Sequence, residues 1–195
     1  MENTILKLYH TSNIELKKPD VNYGRRNADF GGGFYLSASS EFAQKWASNR
    51  KAIINEYTFD LTELSIKRFS LDTEWFEYIS KNRAGYPDVL GKTDVIIGPI
   101  ANDTLYDTYG IITSGLVSSE DSLNLLSVGK RYIQFNIKTE KAASHLKWKG
   151  SKQLNQAQIE AAQKALRAEE KEFREVFWNA LNKLDNFAEI ESILS

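Results

Sequence analysis

The run Asp29-Phe30-Gly31-Gly32-Gly33-Phe34-Tyr35-Leu36-Ser37 constrains this chain more than any other stretch of its sequence. Three glycines in a row strip the β-carbons from the backbone, admit positive φ and let another group lie close against the main chain. Alternation resumes at once. Phe34 and Leu36 fall on one face of a short strand, Tyr35 and Ser37 on the other. A helical segment from Ser40 to Arg50 then carries Phe42 and Trp46 on one side. The expected product is a bare backbone floor beside aromatic rings placed to grip something planar. Phe34 and Phe42 read as core residues, Tyr35 and Trp46 as the rings that meet a ligand.

Upstream, Leu6, Leu8 and His10 alternate along a strand that ends in Thr11-Ser12. His10 stands where the strand opens into a loop, a usual place for a ligand-facing polar group. Taken alone, such a histidine reads rather as the cap of a core strand; the glycine-rich run beside it favours the ligand role.

Composition narrows the classes. With 195 residues, 42% of them hydrophobic and 12% aromatic, the chain can bury the core of one domain and carry an appendage. A net charge of −1 gives no global electrostatic case for nucleic acid or membrane, although a local basic groove stays open. The absence of cysteine excludes a disulfide scaffold and a thiolate zinc site. With His10 and His145 as its only histidines, the chain is expected to hold no metal. Met1-Glu2-Asn3-Thr4 does not read as a signal peptide and no apolar run is long enough for a bilayer, so a cytoplasmic protein is expected.

Along the chain, 52–61 and Tyr132 to Lys138 alternate as strands, and Asp94 to Pro99 is an apolar run stopped by Gly-Pro, as in a buried strand. Ser70 to Asn82 reads as a helix capped by Asp72, with Trp75, Phe76 and Ile79 as its stripe. Asp103 to Ile112 and Ser119 to Ser127 read as short helices. From Asn155 to Leu194 the period is helical. Composition shifts near Lys149-Gly150-Ser151-Lys152, which sets expected units of 1–150 and 151–195, the second a helical tail. Strands and helices without strict βαβ alternation argue for an α+β class.

The His10 strand, the glycine-rich run and the spaced Trp46 together resemble the NAD-binding core of ADP-ribosyltransferases, in the branch of diphtheria toxin and the poly-ADP-ribose polymerases. The likeness is greater to a family of bacterial domains of that clan, originally of unknown function, with Tyr-His at the first strand and an Asp-Phe-Gly-X-Gly-Phe-Tyr-Leu core. It covers roughly residues 5–148. It implies an ADP-ribosyltransferase-like split pair of small sheets with NAD in the cleft, NAD as co-substrate without a metal, and a protein or nucleic acid as acceptor. Small members of this kind act as toxins paired with an antitoxin, or as phage-defence effectors.

The resemblance also implies roles. His10 bonds the nicotinamide ribose, and the adjoining Thr11-Ser12 backbone holds the carboxamide; many relatives have glycine where Thr11 stands. Gly31, Gly32, Gly33 and Phe34 form the binding run. Tyr35 matches the first aromatic of the motif, and Trp46 replaces a second that is normally tyrosine. Arg25, beside Arg26, offers a guanidinium fork suited to pyrophosphate, although solvated loop arginines fit equally well; Asn82-Arg83 invites the same pair of readings. Better-known members carry a glutamate on a late strand, and Gln134 occupies that place here. Strand alternation sets Gln134 opposite Ile133, Phe135 and Ile137. A glutamine can bond ribose hydroxyls but cannot act as a base. Glu140, the nearest downstream carboxylate, is expected at the surface. The alternatives are a non-catalytic NAD- or ADP-ribose-binding module, an NAD glycohydrolase, and a partner-binding protein whose tail is the working part.

Overall fold

The computed structural model describes residues 5–47, 51–106, 110 and 115–194. Strands β1 (Ile5–Ser12), β2 (Phe34–Ser37), β3 (Ile53–Asp60), β4 (Ile66–Arg68), β5 (Val95–Pro99), β6 (Ile133–Ile137) and β7 (Leu146–Gln153) form one seven-stranded sheet, in the order β4-β5-β6-β2-β1-β3-β7. β4 and β5 are parallel, and the other neighbours are antiparallel. The helices are α1 (Ser40–Gln44), α2 (Thr73–Arg83), α3 (Asn102–Tyr106), α4 (Ser119–Leu126), α5 (Glu140–Ser144), α6 (Gln156–Leu181) and α7 (Phe187–Leu194). The class is α+β, with a helical C-terminal part. No helix among the described residues is long and apolar enough to cross a membrane.

The sheet is continuous where the resemblance implies a split pair, but it narrows sharply. β1 pairs with β3 along its whole length, from Ile5↔Asp60 to Ser12↔Ile53, yet meets β2 only at Tyr9↔Ser37. The short β2 causes this. It starts only after Gly33, whose φ of +144° is outside the strand region, and it ends at a turn where Ser37 Oγ accepts the Ser39 N–H at 3.0 Å and Ser39 caps α1. β2 therefore spends its length on β6 and touches β1 only at its last residue.

The alternation fills both faces. Leu8, Phe34, Leu36, Tyr57, Phe59, Phe135 and Ile137 bury one face under Ala142 and Ala143 of α5. Phe30, Trp75, Phe76, Ile79 and Ile96 bury part of the other under α2. Asp72 caps α2 as its sequence indicates, accepting the Trp75 N–H at 3.0 Å, and Trp75 Nε1 donates to the Pro99 carbonyl at 3.1 Å. Ile133 departs from expectation: it pairs with Pro99 at the first position of β6 and is exposed.

The 150/151 point falls inside β7, where Ser151 to Gln153 still pair with β3. The segment beyond β7 packs on the rest of the chain. Ile159 joins Ala47, Ala52, Ile54 and Leu154, while Phe173, Phe177, Leu181 and Ile190 close over Leu125. Lys45, after α1, meets Tyr132 and Glu169 of α6, and Tyr132 OH also donates to Glu169. The helix expected over Asp103 to Ile112 is seen as α3; 107–109 and 111–112 lie outside the described residues, as do 48–50 of the segment after Ser40. The helical period from Asn155 breaks after Leu181, where Asn182 ends α6.

Candidate functional site

A cavity of about 400 Å³ opens where β1 and β2 part. His10, Thr11, Arg25, Tyr35, Trp46 and Gln134, which the sequence singles out from well-separated segments, all line it. Tyr9, Phe42, Ile100 and Asp29 complete much of the wall. The register places Tyr9 beside Ser37 and Gln134, so these side chains share one face of the sheet with Tyr35. His10, one residue on, belongs to the opposite face and joins the cavity only because the strands separate.

His10 Nδ1 lies 2.7 Å from the Tyr35 carbonyl. A carbonyl only accepts, so Nδ1 carries the hydrogen and a neutral ring keeps Nε2 as an acceptor. Burial lowers the His10 pKa below its ordinary value, and the bond to Tyr35 opposes that only in part, which favours the neutral ring. Phe34 stands behind the imidazole, with ring centroids 4.4 Å apart. Phe34 is thus a core residue that backs the site without lining it. Thr11 Oγ1 donates to the Ala43 carbonyl and ties the end of β1 to α1.

The Tyr35 phenol folds back on the glycine run, donating to the Gly31 carbonyl at 2.7 Å and accepting the Phe30 N–H at 3.0 Å. Burial first, and then the charge of Asp29, pushes its pKa far up, so it remains a donor. Trp46 is 50% exposed and meets Phe42 edge-on at 6.1 Å. Phe42 stacks on Tyr132 at 4.1 Å, so it serves both core and wall. Arg25 is exposed and makes no hydrogen bond or ion pair with the described residues, whereas Arg83 is committed to structure.

That commitment involves a residue that carries no role in the sequence reading. Asp29, 4% exposed, sits between the glycine run and the cavity. Arg83 Nε donates to Asp29 Oδ1 at 2.9 Å, and Arg83 Nη2 is 2.7 Å from the same oxygen, though too far off line for a hydrogen bond. Arg83 Nη1 spans both oxygens of Asp103, at 2.9 and 2.8 Å. Burial alone would lower the Arg83 pKa; Asp29 and Asp103 outweigh it and raise it. Burial raises Asp103, with Arg83 opposing. Gln134, 8% exposed, donates from Nε2 to Asp29 Oδ2 at 3.1 Å. The place of Asp29 at the head of the glycine-rich run was the one signal of its importance.

The glycines lie elsewhere than under the cavity. A β-carbon on Gly33 would stand 2.0 Å from Asn136 Oδ1 and 2.8 Å from the Ile137 carbonyl. Gly31, at φ +70°, faces Asp88 and Asn82. Gly32 lines a separate surface hollow with Arg26 and Lys138. The run is bare because β6 and Lys138 press on it from behind, where Asn136 Nδ2 and Lys138 Nζ each donate to the Phe30 and Gly32 carbonyls. Ser12 also stays out of the cavity, held by the Ile14 carbonyl and Asn55. Glu140 is exposed, bonded by Asn22 at 3.3 Å.

Comparison with curated proteins and with solved structures yields no match. The profile of one protein family matches residues 6–148, from β1 into β7, and so takes in every segment that lines the cavity. By that match the chain belongs to the DUF3990 family, whose description is a protein of unknown function.

Proposed function

We propose that this chain binds NAD in the cavity between β1 and β2 and breaks its nicotinamide–ribose bond, passing ADP-ribose to a protein or nucleic-acid group. The observation that carries this reading is the convergence of His10, Arg25, Tyr35, Trp46 and Gln134 on one cavity. The free groups suit the ligand. His10 Nε2 and Gln134 Oε1 are acceptors for ribose hydroxyls, Arg25 is an uncommitted cation for pyrophosphate, and Tyr35 and Trp46 offer aromatic surface for nicotinamide. The C1′–N bond breaks as its electron pair leaves with nicotinamide. The acceptor's lone pair then bonds to C1′, and the acceptor's proton passes to solvent. Positioning and electrostatics supply most of the acceleration. On the same reading the biological role is that of a bacterial toxin or phage-defence effector with an antitoxin as partner, for which the sequence resemblance is the support.

A binding module without turnover is the second reading. It is favoured by the state of Asp29, a cavity-lining carboxylate already occupied by Arg83, Gln134, Ala101 and Thr104 and therefore unsuited to serve as a base. Incubating the pure protein with NAD and following free nicotinamide by mass spectrometry separates the two. Release that disappears in Gln134→Ala but survives in Glu140→Gln is expected. NAD that binds and stays intact, with acceptors supplied from a cell extract, would leave the binding module; free ADP-ribose as the product would make the protein a glycohydrolase.

A further inference from the structure

A glutamine amide can present either end to a ligand, because one end donates and the other accepts. At Gln134 the choice is made by Asp29. Asp29 Oδ1 takes Arg83 Nε at 2.9 Å and Thr104 Oγ1 at 3.3 Å; Oδ2 takes the Ala101 N–H and Gln134 Nε2, both at 3.1 Å. A carboxylate in an ion pair with a guanidinium has only lone pairs to offer, so the amide must turn its NH2 toward it. Gln134 Oε1 is the end left over. It makes no hydrogen bond with the described residues, and Gln134 lines the cavity.

We propose that Asp29 is a positioning residue that locks the Gln134 amide and so makes the cavity an acceptor for a ligand hydroxyl at that point. A ligand that can only accept there is rejected. The lock also accounts for glutamine at position 134. A carboxylate oxygen in the place of Nε2 would stand 3.1 Å from Asp29 Oδ2, and Arg83 is already shared with Asp103. The identity of the hydroxyl as one on the nicotinamide ribose rests on the NAD reading; the lock does not.

The test has a ligand-free arm and a ligand arm. In the first, thermal unfolding of wild type, Gln134→Glu and the double variant Asp29→Asn/Gln134→Glu is compared at about pH 5 and about pH 8. The charged and titratable groups around the pair are Arg83, Asp103 and Tyr35, with His10 and Arg25 across the cavity; all are common to the variants. Two adjoining carboxylates share a proton, so their folded-state pKa rises, and stability is kept at low pH and lost as pH rises. Gln134→Glu should therefore lose about 5 °C more than wild type on going to the higher pH, and the double variant should not. A Gln134→Glu profile parallel to wild type overturns the lock.

In the second arm, calorimetry compares NAD with analogues in which one nicotinamide-ribose hydroxyl is fluorine, which cannot donate. Wild type should prefer NAD by about tenfold or more over one of them. In Asp29→Asn an amide oxygen kept on Arg83 puts the NH2 at the place of Oδ2, where it gives up the Ala101 N–H and faces Gln134; the amide of Gln134 then turns around, and the preference should fall to about onefold. An unchanged preference in a variant with wild-type circular dichroism overturns the positioning role. Failure of wild type to bind NAD removes the NAD reading, and the first arm then decides the lock alone.

Discussion

Behind the glycine run, Lys138 is nearly buried; it donates to the Phe30 and Gly32 carbonyls and pairs with Asp88. In front of the run, Arg83 pairs with Asp29 at the wall of a cavity. Both are ion pairs in contact with one loop, but their surroundings differ. The rear cluster is bonded almost wholly within itself, although Asp88 and Lys138 also border the surface hollow beside Gly32. Burial alone would raise Asp88, yet Lys138 and Tyr78 outweigh it and hold it below the usual carboxylate range. Asn136 Oδ1 is the unbonded atom there, filling the space that Gly33 leaves. The front cluster adjoins groups with capacity to spare: Gln134 Oε1, His10 Nε2 and Arg25. Polar groups satisfied all round fix a backbone, whereas polar groups left open on a fixed backbone are available to a ligand.

Breaking the rear should therefore cost the fold, and breaking the front should cost the ligand. Gly33→Ala is expected to have the largest effect. The added methyl would meet Asn136 Oδ1 at 2.0 Å in a backbone at φ +144°, and a loss of more than about 3 kcal/mol is expected in denaturant unfolding. A Gly33→Ala protein of wild-type stability would break the comparison at its rear side. Trp46→Ala comes next. Half-exposed and outside the main cores, Trp46 should be removable with little change in unfolding, but NAD affinity should fall by about 1–3 kcal/mol as stacking and burial are lost. Tryptophan fluorescence and calorimetry read both quantities, and an unchanged affinity would remove the nicotinamide contact.

The smallest effect should come from His10. Its folded pKa is below the ordinary 6.5, so its contribution to stability is complete above about pH 6.5 and declines as pH falls through the folded value. His10→Gln should flatten that part of the stability profile. A wild-type slope that persists in His10→Gln would move the acid sensitivity to another group.

Much of this was legible in the sequence because it is local. Period-2 alternation marked β1, β3 and β6 and the inward side of Gln134, and Asp72 announced α2. Other features escaped for physical reasons. β4 is only Ile66-Lys67-Arg68, too short to show a period. β7 is an edge strand that alternates only over Leu146-Lys147-Trp148-Lys149, half its length, before Gly150 and polar residues end the pattern. The glycine run declared that space was needed but not from which side; Asn136 and Lys138, more than a hundred residues away, supply the answer. Asp29 stands in plain view in the motif, but its partners Arg83 and Gln134 are separated from it by 54 and 105 residues.

The contact of Lys45 and Tyr132 with Glu169 bears on the order in which the molecule assembles. α1 spans only Ser40–Gln44, far below the length at which an isolated helix holds its shape, so the wall bearing Trp46 depends on distant neighbours for its place. Glu169 is 124 residues downstream of Lys45. A contact of that span cannot form until the chain has been made through α6, and it closes a long loop. During synthesis, then, the strands that carry His10 and Tyr35 emerge well before the residue that braces the opposite wall. The nascent chain on the ribosome holds an unfinished cavity until α6 has emerged and docked.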